Sequence, residues 1–133
     1  MLLNRAFRLV RQVLEQHGEF HPFGFALKSD RQIEPVTFQD ERGFPPPEDV
    51  VKMIQDAFMV SAAKGEVIAT ALATNVKTTL PAGGQTDAVA VALDHRDNYS
   101  IVAFIPYQIT DGQLATGVLY TRPGGGGIFP SRQ

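Results

Sequence analysis

The period of apolar and polar positions changes along this chain. Leu3, Phe7, Val10 and Leu14 recur every three or four residues, with Ala6, Leu9 and Val13 beside them. That spacing predicts an amphipathic helix from Asn4 to His17, stopped by Gly18. Arg5, Arg8, Arg11 and Gln12 fall on its outer, solvated face. From Phe20 to Leu27 the period drops to two. Phe23, Phe25 and Leu27 share one face, with Gly24 and Ala26 opposite. Ser29-Asp30-Arg31-Gln32 reads as a turn, and Ile33 to Phe38 as a short partner strand. Pro35 cannot donate to a ladder, so this strand belongs at a sheet edge.

Gln39 to Pro47 reads as a loop, charged and then proline-rich. Pro45, Pro46 and Pro47 lead into a second helix from Glu48 to Lys64. Its buried stripe is Val50, Val51, Ile54, Ala57, Phe58 and Ala62, and Gly65 ends it. Glu48 and Asp49 suit its positive N-terminal end.

Beyond Gly65 the pattern predicts four strands, Val67 to Leu80, Thr86 to His95, Tyr99 to Ile109 and Leu114 to Thr121. Pro81-Ala82-Gly83-Gly84, Asp94 to Asn98, and Asp111-Gly112 mark the turns. Pro106 implies a bulge or an exposed edge. In Thr86 to His95, Val89, Val91 and Leu93 point one way, and Ala88, Ala90 and Ala92 the other. A sheet with one wet face would carry polar residues in the second set. Alanine there implies that something lies close against that face. Ala69, Ala71 and Ala73 of the preceding strand are expected to extend it into one small-residue patch.

The order of elements predicts a two-layer α+β fold, helix, β-hairpin and helix followed by a four-strand antiparallel meander. Residues 1–121 form the expected single domain. Residues 122–133 form a Gly-rich C-terminal tail, in which Gly124 to Gly127 read as a flexible connector. Ile128 and Phe129 at its end are expected to dock on the domain or on a neighbouring subunit.

The chain has 133 residues, a formal net charge of −2 and no cysteine. One domain of this size builds a core without staples. Near-neutral charge gives no electrostatic case for nucleic acid or an anionic membrane. Without cysteine, disulfides, thiol catalysis and cysteine-ligated metal are excluded. With no signal peptide and no bilayer-length apolar run expected, a cytoplasmic protein is the expectation.

Candidate chemistry is sparse. His17 ends a helix and His21 starts a strand, which suggests that they lie near each other. No metal-ligand spacing is spelled out, and haem ligation by one of them would leave no local signature. Asp94-His95-Arg96-Asp97 is the densest ionisable cluster. A histidine flanked by carboxylates suits a general base, yet such clusters are usually solvated turns. No nucleophile motif accompanies it. Phe23, Phe25, Phe58, Phe104 and Tyr107 are the candidate lining of a pocket between helix and sheet. Asn98-Tyr99-Ser100 is a formal glycosylation sequon.

Gly18-Glu19-Phe20-His21-Pro22-Phe23-Gly24-Phe25-Ala26-Leu27, and Lys77 to Tyr107 with Thr86-Asp87-Ala88-Val89 and Asp94-His95-Arg96-Asp97-Asn98-Tyr99, resemble a family of small, uncharacterised, single-domain bacterial proteins. The resemblance spans most of the chain and carries no catalytic motif. It implies a bacterial cytoplasmic origin. The element order is also similar to profilin-like and roadblock-like domains, although a roadblock-like domain would close with a helix.

Three functional expectations follow. The first is a non-enzymatic interaction, assembly or regulatory protein. It would act as a homodimer through Ala69, Ala71, Ala73, Ala88, Ala90 and Ala92, with another protein as a further partner and with no nucleic acid or membrane. The second is a binder of a small molecule or a cofactor such as haem. The third is a hydrolase-like enzyme using His95 with Asp94 or Asp97.

Overall fold

The computed structural model describes residues 2–38, 43, 45–79, 83–97 and 99–129. Its elements are α1 (Leu2–His17), β1 (Phe23–Lys28), β2 (Ile33–Val36), α2 (Pro47–Ala63), β3 (Val67–Thr79), β4 (Gln85–His95), β5 (Tyr99–Thr110), β6 (Gln113–Thr116) and β7 (Tyr120–Pro123). The α+β class and the order of helix, hairpin, helix and antiparallel strands are those the sequence predicts. Residues 39–42 and 44 of the expected loop lie outside the described residues. So do Leu80 at the end of the expected Val67 to Leu80 strand, Pro81 and Ala82 of the turn after it, Asn98 of the next turn and of the sequon, and residues 130–133 of the tail.

The strands form one sheet in the order β2-β1-β3-β4-β5-β6, with β7 also on β5. Every pairing is antiparallel. β2, with Pro35, lies at the edge as expected. Asp111 and Gly112 both take positive φ, 52° and 76°, which makes the β5–β6 connection a primed hairpin turn. The last expected strand is broken in two. β6 pairs β5 from Tyr107 onward and β7 pairs it up to Phe104. The break falls beside Pro106, which has no N–H to offer a neighbour. There the Gly117 N–H donates to the Pro106 carbonyl.

The layering differs from the expected two-layer arrangement, because the helices cover opposite faces. α1 buries Leu2, Ala6, Val10 and Leu14 against Phe25, Ala71, Ala73, Val89 and Val91. α2 buries Val50, Ile54, Phe58 and Ala62 against Ala26, Val67 and Leu72. The cause is legible in the strands. Both faces are apolar, so each needs a cover. Along β4 the first face is bulky, with Val89 and Val91, and the second is small, with Ala88, Ala90 and Ala92. Gly24 shows how close α2 comes. A Cβ there would lie 2.5 Å from the Phe58 ring and 3.1 Å from Ile54 Cγ2.

The second face has a further cover. Ile128 and Phe129 pack against the α2-side core, together with Ala92. The tail therefore docks on its own domain, and its glycines are placed rather than slack. Gly124 approaches Ser100 too closely to accept a Cβ. Gly126 and Gly127 take φ of 71° and 91°, a region costly for other residues. The Gly124 N–H donates to the Ser100 carbonyl, and the Gly126 N–H to Ser100 Oγ.

Candidate functional site

Two cavities flank the short crossing between α1 and β1. α1 ends where the Gly18 N–H returns to the Leu14 carbonyl and the chain takes φ of 76°. Residues 19–22 then carry it over the end of the sheet to Phe23. Glu19 and Phe20 line a cavity on each side of this crossing.

The first cavity, about 540 Å³, lies between α1 and the β1–β2 hairpin. Leu9 and Val13 come from the helix, Phe20 and Phe23 from the crossing and β1, and Pro35 and Val36 from the edge strand. The aromatic rings form a ladder of edge-to-face contacts. Phe20 and Phe23 have centroids 6.1 Å apart, and Phe23 and Phe25 5.6 Å apart. Four polar side chains join the wall: His17, Glu19, His21 and Thr37. The two histidines are thus brought to one cavity, as their places in the sequence suggest. A haem or metal reading would rest on them. Among the described residues, no group of three or more His, Asp or Glu side chains is placed to hold a metal ion.

The second cavity, about 700 Å³, has a more polar wall than the first and arises from a step in the sheet. β1 begins opposite Ala73, so β3 runs past it through Thr74, Asn75 and Val76. These residues, Asp87 and Tyr107 make one wall, and Glu48 and Val51 of α2 another. A chain of side-chain contacts crosses this wall. The Tyr107 hydroxyl donates to Asn75 Oδ1, and Asn75 Nδ2 donates to Asp87 Oδ1 at 3.3 Å. Lys77 Nζ reaches the same carboxylate oxygen at 2.6 Å. The Lys77 hydrogen bond holds Asp87 below the usual carboxylate value against the opposing effect of desolvation. Burial, and then the negative charge of Asp87, raise Tyr107 above the usual phenol value, so its hydroxyl stays protonated and donating.

The structure separates several residues that the sequence groups. Ala71 pairs with Leu93 and Ala73 with Val91, whereas Ala88, Ala90 and Ala92 pair with Val76, Thr74 and Leu72. Directly paired residues share a face, so Ala69, Ala71 and Ala73 lie on the α1 side and Ala88, Ala90 and Ala92 on the α2 side. Ala71, Ala73, Ala88 and Ala90 are buried within the chain itself. The expected contiguous patch does not exist. The reason is register: alternation was read within each strand, and the pairing offset between strands cannot be seen there.

The aromatic set divides in the same way. Phe23 and Phe25 belong to the α1 side, and Phe58 to the α2 side. Phe104 pairs with Ala90 and stacks on Tyr120 with centroids 5.0 Å apart. These residues do not line one pocket. Phe23 faces the first cavity and Tyr107 the second.

The Asp94-His95-Asp97 cluster is split too. Neighbours on a strand point to opposite faces, so Asp94 and His95 turn away from each other. Asp94 bonds the Ser100 side chain, and burial raises it above the usual carboxylate value, the hydrogen bond opposing. It therefore belongs to the anchor of the tail, since Ser100 Oγ also accepts the Gly126 N–H. His95 Nδ1 accepts the Asp97 backbone N–H at 3.1 Å, and Asp97 Oδ2 lies 3.4 Å away. This geometry closes a turn.

Glu19, Asn75 and Lys77 are site residues that the sequence did not single out. Their signal was weak: none belongs to a motif, and the step in the sheet that gathers them is tertiary. No family model, no curated protein and no solved structure matches this chain.

Proposed function

We propose that this protein is a small-molecule-binding module and that its ligand sits in the cavity between α1 and the β1–β2 hairpin. One observation carries the reading. The cavity holds about 540 Å³ within walls that are mainly aliphatic and aromatic, with a few polar side chains among them. Sites for small organic ligands have this size and this make-up. The core beside it is closely packed, with Val10 and Leu14 of the same helix buried. A space of this size against apolar walls forgoes dispersion contacts that a ligand would restore. The chemistry of the lining selects a molecule with an apolar body and one polar end.

The test is titration with an environment-sensitive apolar dye, alongside Val13→Trp, which fills the cavity from the helix side. Saturable binding of one dye per chain, lost in V13W while the circular dichroism is kept, is the expected result. Binding that does not saturate, or that V13W leaves unchanged, refutes the assignment.

The expectation of an interaction protein acting as a homodimer no longer has an alanine patch to rest on.

A further inference from the structure

The polar and apolar side chains of the first cavity are separated along the length of α1. Leu9, Val13 and His17 line it at four-residue intervals, one stripe of the helix. His17 stands at the C-terminal end of that stripe, and the crossing brings Glu19, Phe20 and His21 to the same end. Thr37 joins them there. Val36 pairs with Gly24, so the residue after it stands beside Phe23 at the start of β1. His17, Glu19, His21 and Thr37 are all exposed, whereas Leu9, Val13, Phe20 and Phe23 are partly covered. The cavity is therefore wet at the crossing and apolar towards Leu9.

We infer that the ligand of this cavity is a linear amphiphile whose ammonium head is held at the crossing and whose alkyl chain lies along Val13 and Leu9. This rests on the ligand-binding reading above and gives the ligand its head, its direction and its length. Three features of the crossing select a cation. Glu19 supplies a carboxylate, and among the described residues neither lysine nor arginine lines the cavity. α1 ends there, and the C-terminus of a helix carries the negative end of its dipole. The Phe20 and Phe23 rings stand at the same end, and aromatic faces attract ammonium groups. An imidazole in its neutral form accepts an N–H, so His17 and His21 suit the same head. The length follows from the helix. The step from Leu9 to His17 rises about 12 Å, the reach of an extended chain of about ten carbons. A longer chain would leave the cavity at the Leu9 end.

The test is calorimetric titration of the full chain with decylamine, decanol and decanoate below their micelle concentrations, and with the alkylamines from hexylamine to tetradecylamine. Decylamine should bind about tenfold more tightly than decanol, and decanoate more weakly than either. Affinity should rise by about fourfold per methylene and level off near decylamine. Glu19→Gln should weaken decylamine by about fivefold and leave decanol unchanged. Glu15→Gln, on the outer face of the same helix, should change neither. Circular dichroism checks that both variants are folded. Decanoate binding as tightly as decylamine, an affinity still climbing at tetradecylamine, or an E19Q protein that keeps the full preference for the amine overturns the inference. Each of these leaves the ligand-binding reading standing, provided that decanol displaces the dye and Val13→Trp abolishes that displacement. Decanol that fails to displace the dye defeats that reading and the inference with it.

Discussion

Gly24→Ala tests how closely α2 is held against the sheet. Gly24 opposes Leu72 of β3 and Val36 of β2, on the face that α2 covers. The added methyl would meet the Phe58 ring at 2.5 Å, the Ala71 carbonyl oxygen at 3.0 Å and Ile54 Cγ2 at 3.1 Å. Ordinary contacts of this kind begin near 3.4 Å, so something must yield by almost an ångström. Phe58 is 2% exposed and Ile54 fully buried, so neither has room to withdraw. The oxygen belongs to the β3 backbone. Overpacking of this sort costs about 1–3 kcal/mol. The reduced freedom of the unfolded chain returns about 0.4–1 kcal/mol. A net loss of about 1–2 kcal/mol is expected, which lowers the Tm of a domain of this length by about 3–8 °C. Urea and thermal denaturation followed by circular dichroism would measure it. Gly125→Ala is the control, because nothing lies within 4 Å of its added methyl, and it should be neutral to stabilising by up to about 1 kcal/mol. Phe58→Leu makes room for the methyl, so the G24A/F58L pair should cost clearly less than the sum of its parts. A G24A protein as stable as the wild type, or strict additivity with F58L, would refute the close approach.

Other consequences concern charge and the tail. Asp94 is raised by burial, so its folded state holds a proton more tightly than the unfolded chain does. Ionisation at neutral pH then works against the fold. Asp94→Asn should be the more stable protein at pH 7, with its advantage shrinking as pH falls through the raised value towards 3.8. Urea midpoints across that range would show it, and a loss of stability at pH 7 would contradict it. Asp87 has the opposite sign, because Lys77 lowers it. Asp87→Asn should lose stability at pH 7 in the same urea series, with the deficit closing as pH falls below 3.8 through the lowered folded value. Phe129→Ala removes a ring packed on the α2-side core, and a cost of about 1–3 kcal/mol is expected from denaturant unfolding. No measurable cost would show that the docked tail contributes nothing to the fold.

Local pattern carried much of the architecture. α1, the hairpin, α2 and the long strands are all legible because apolar spacing, Gly18, Gly65 and Asp111-Gly112 mark them within a few residues of where they lie. The alternation of Val89, Val91 and Leu93 with Ala88, Ala90 and Ala92 correctly announced a sheet covered on both faces. What covers it was not legible. Two separate helices and the docked Ile128–Phe129 pair supply the cover, through contacts between distant segments. The alanine patch failed for a related reason. Ala71 shares a face with Leu93 and not with Ala92, and a register offset of one residue reverses such an assignment. The candidate site was legible only in fragments. His17 and His21 lie close enough in sequence to suggest a meeting. Asn75, Asp87 and Tyr107 meet only because β3 outruns β1, a fact of strand length in three dimensions. Asp94, read beside His95, turned to the opposite face and to Ser100, as the two-residue period of a strand requires.

The central claim is that the cavity beside the end of α1 receives a ligand with an apolar body. Methyl-resolved NMR during titration with a short-chain amphiphile tests it most directly. Saturable shifts that cluster on the methyls of Leu9 and Val13 are expected, with Val50 and Ile54 on the buried side of α2 unmoved. Shifts centred on Met53 and Val60, or none at all at saturating amphiphile, would contradict it.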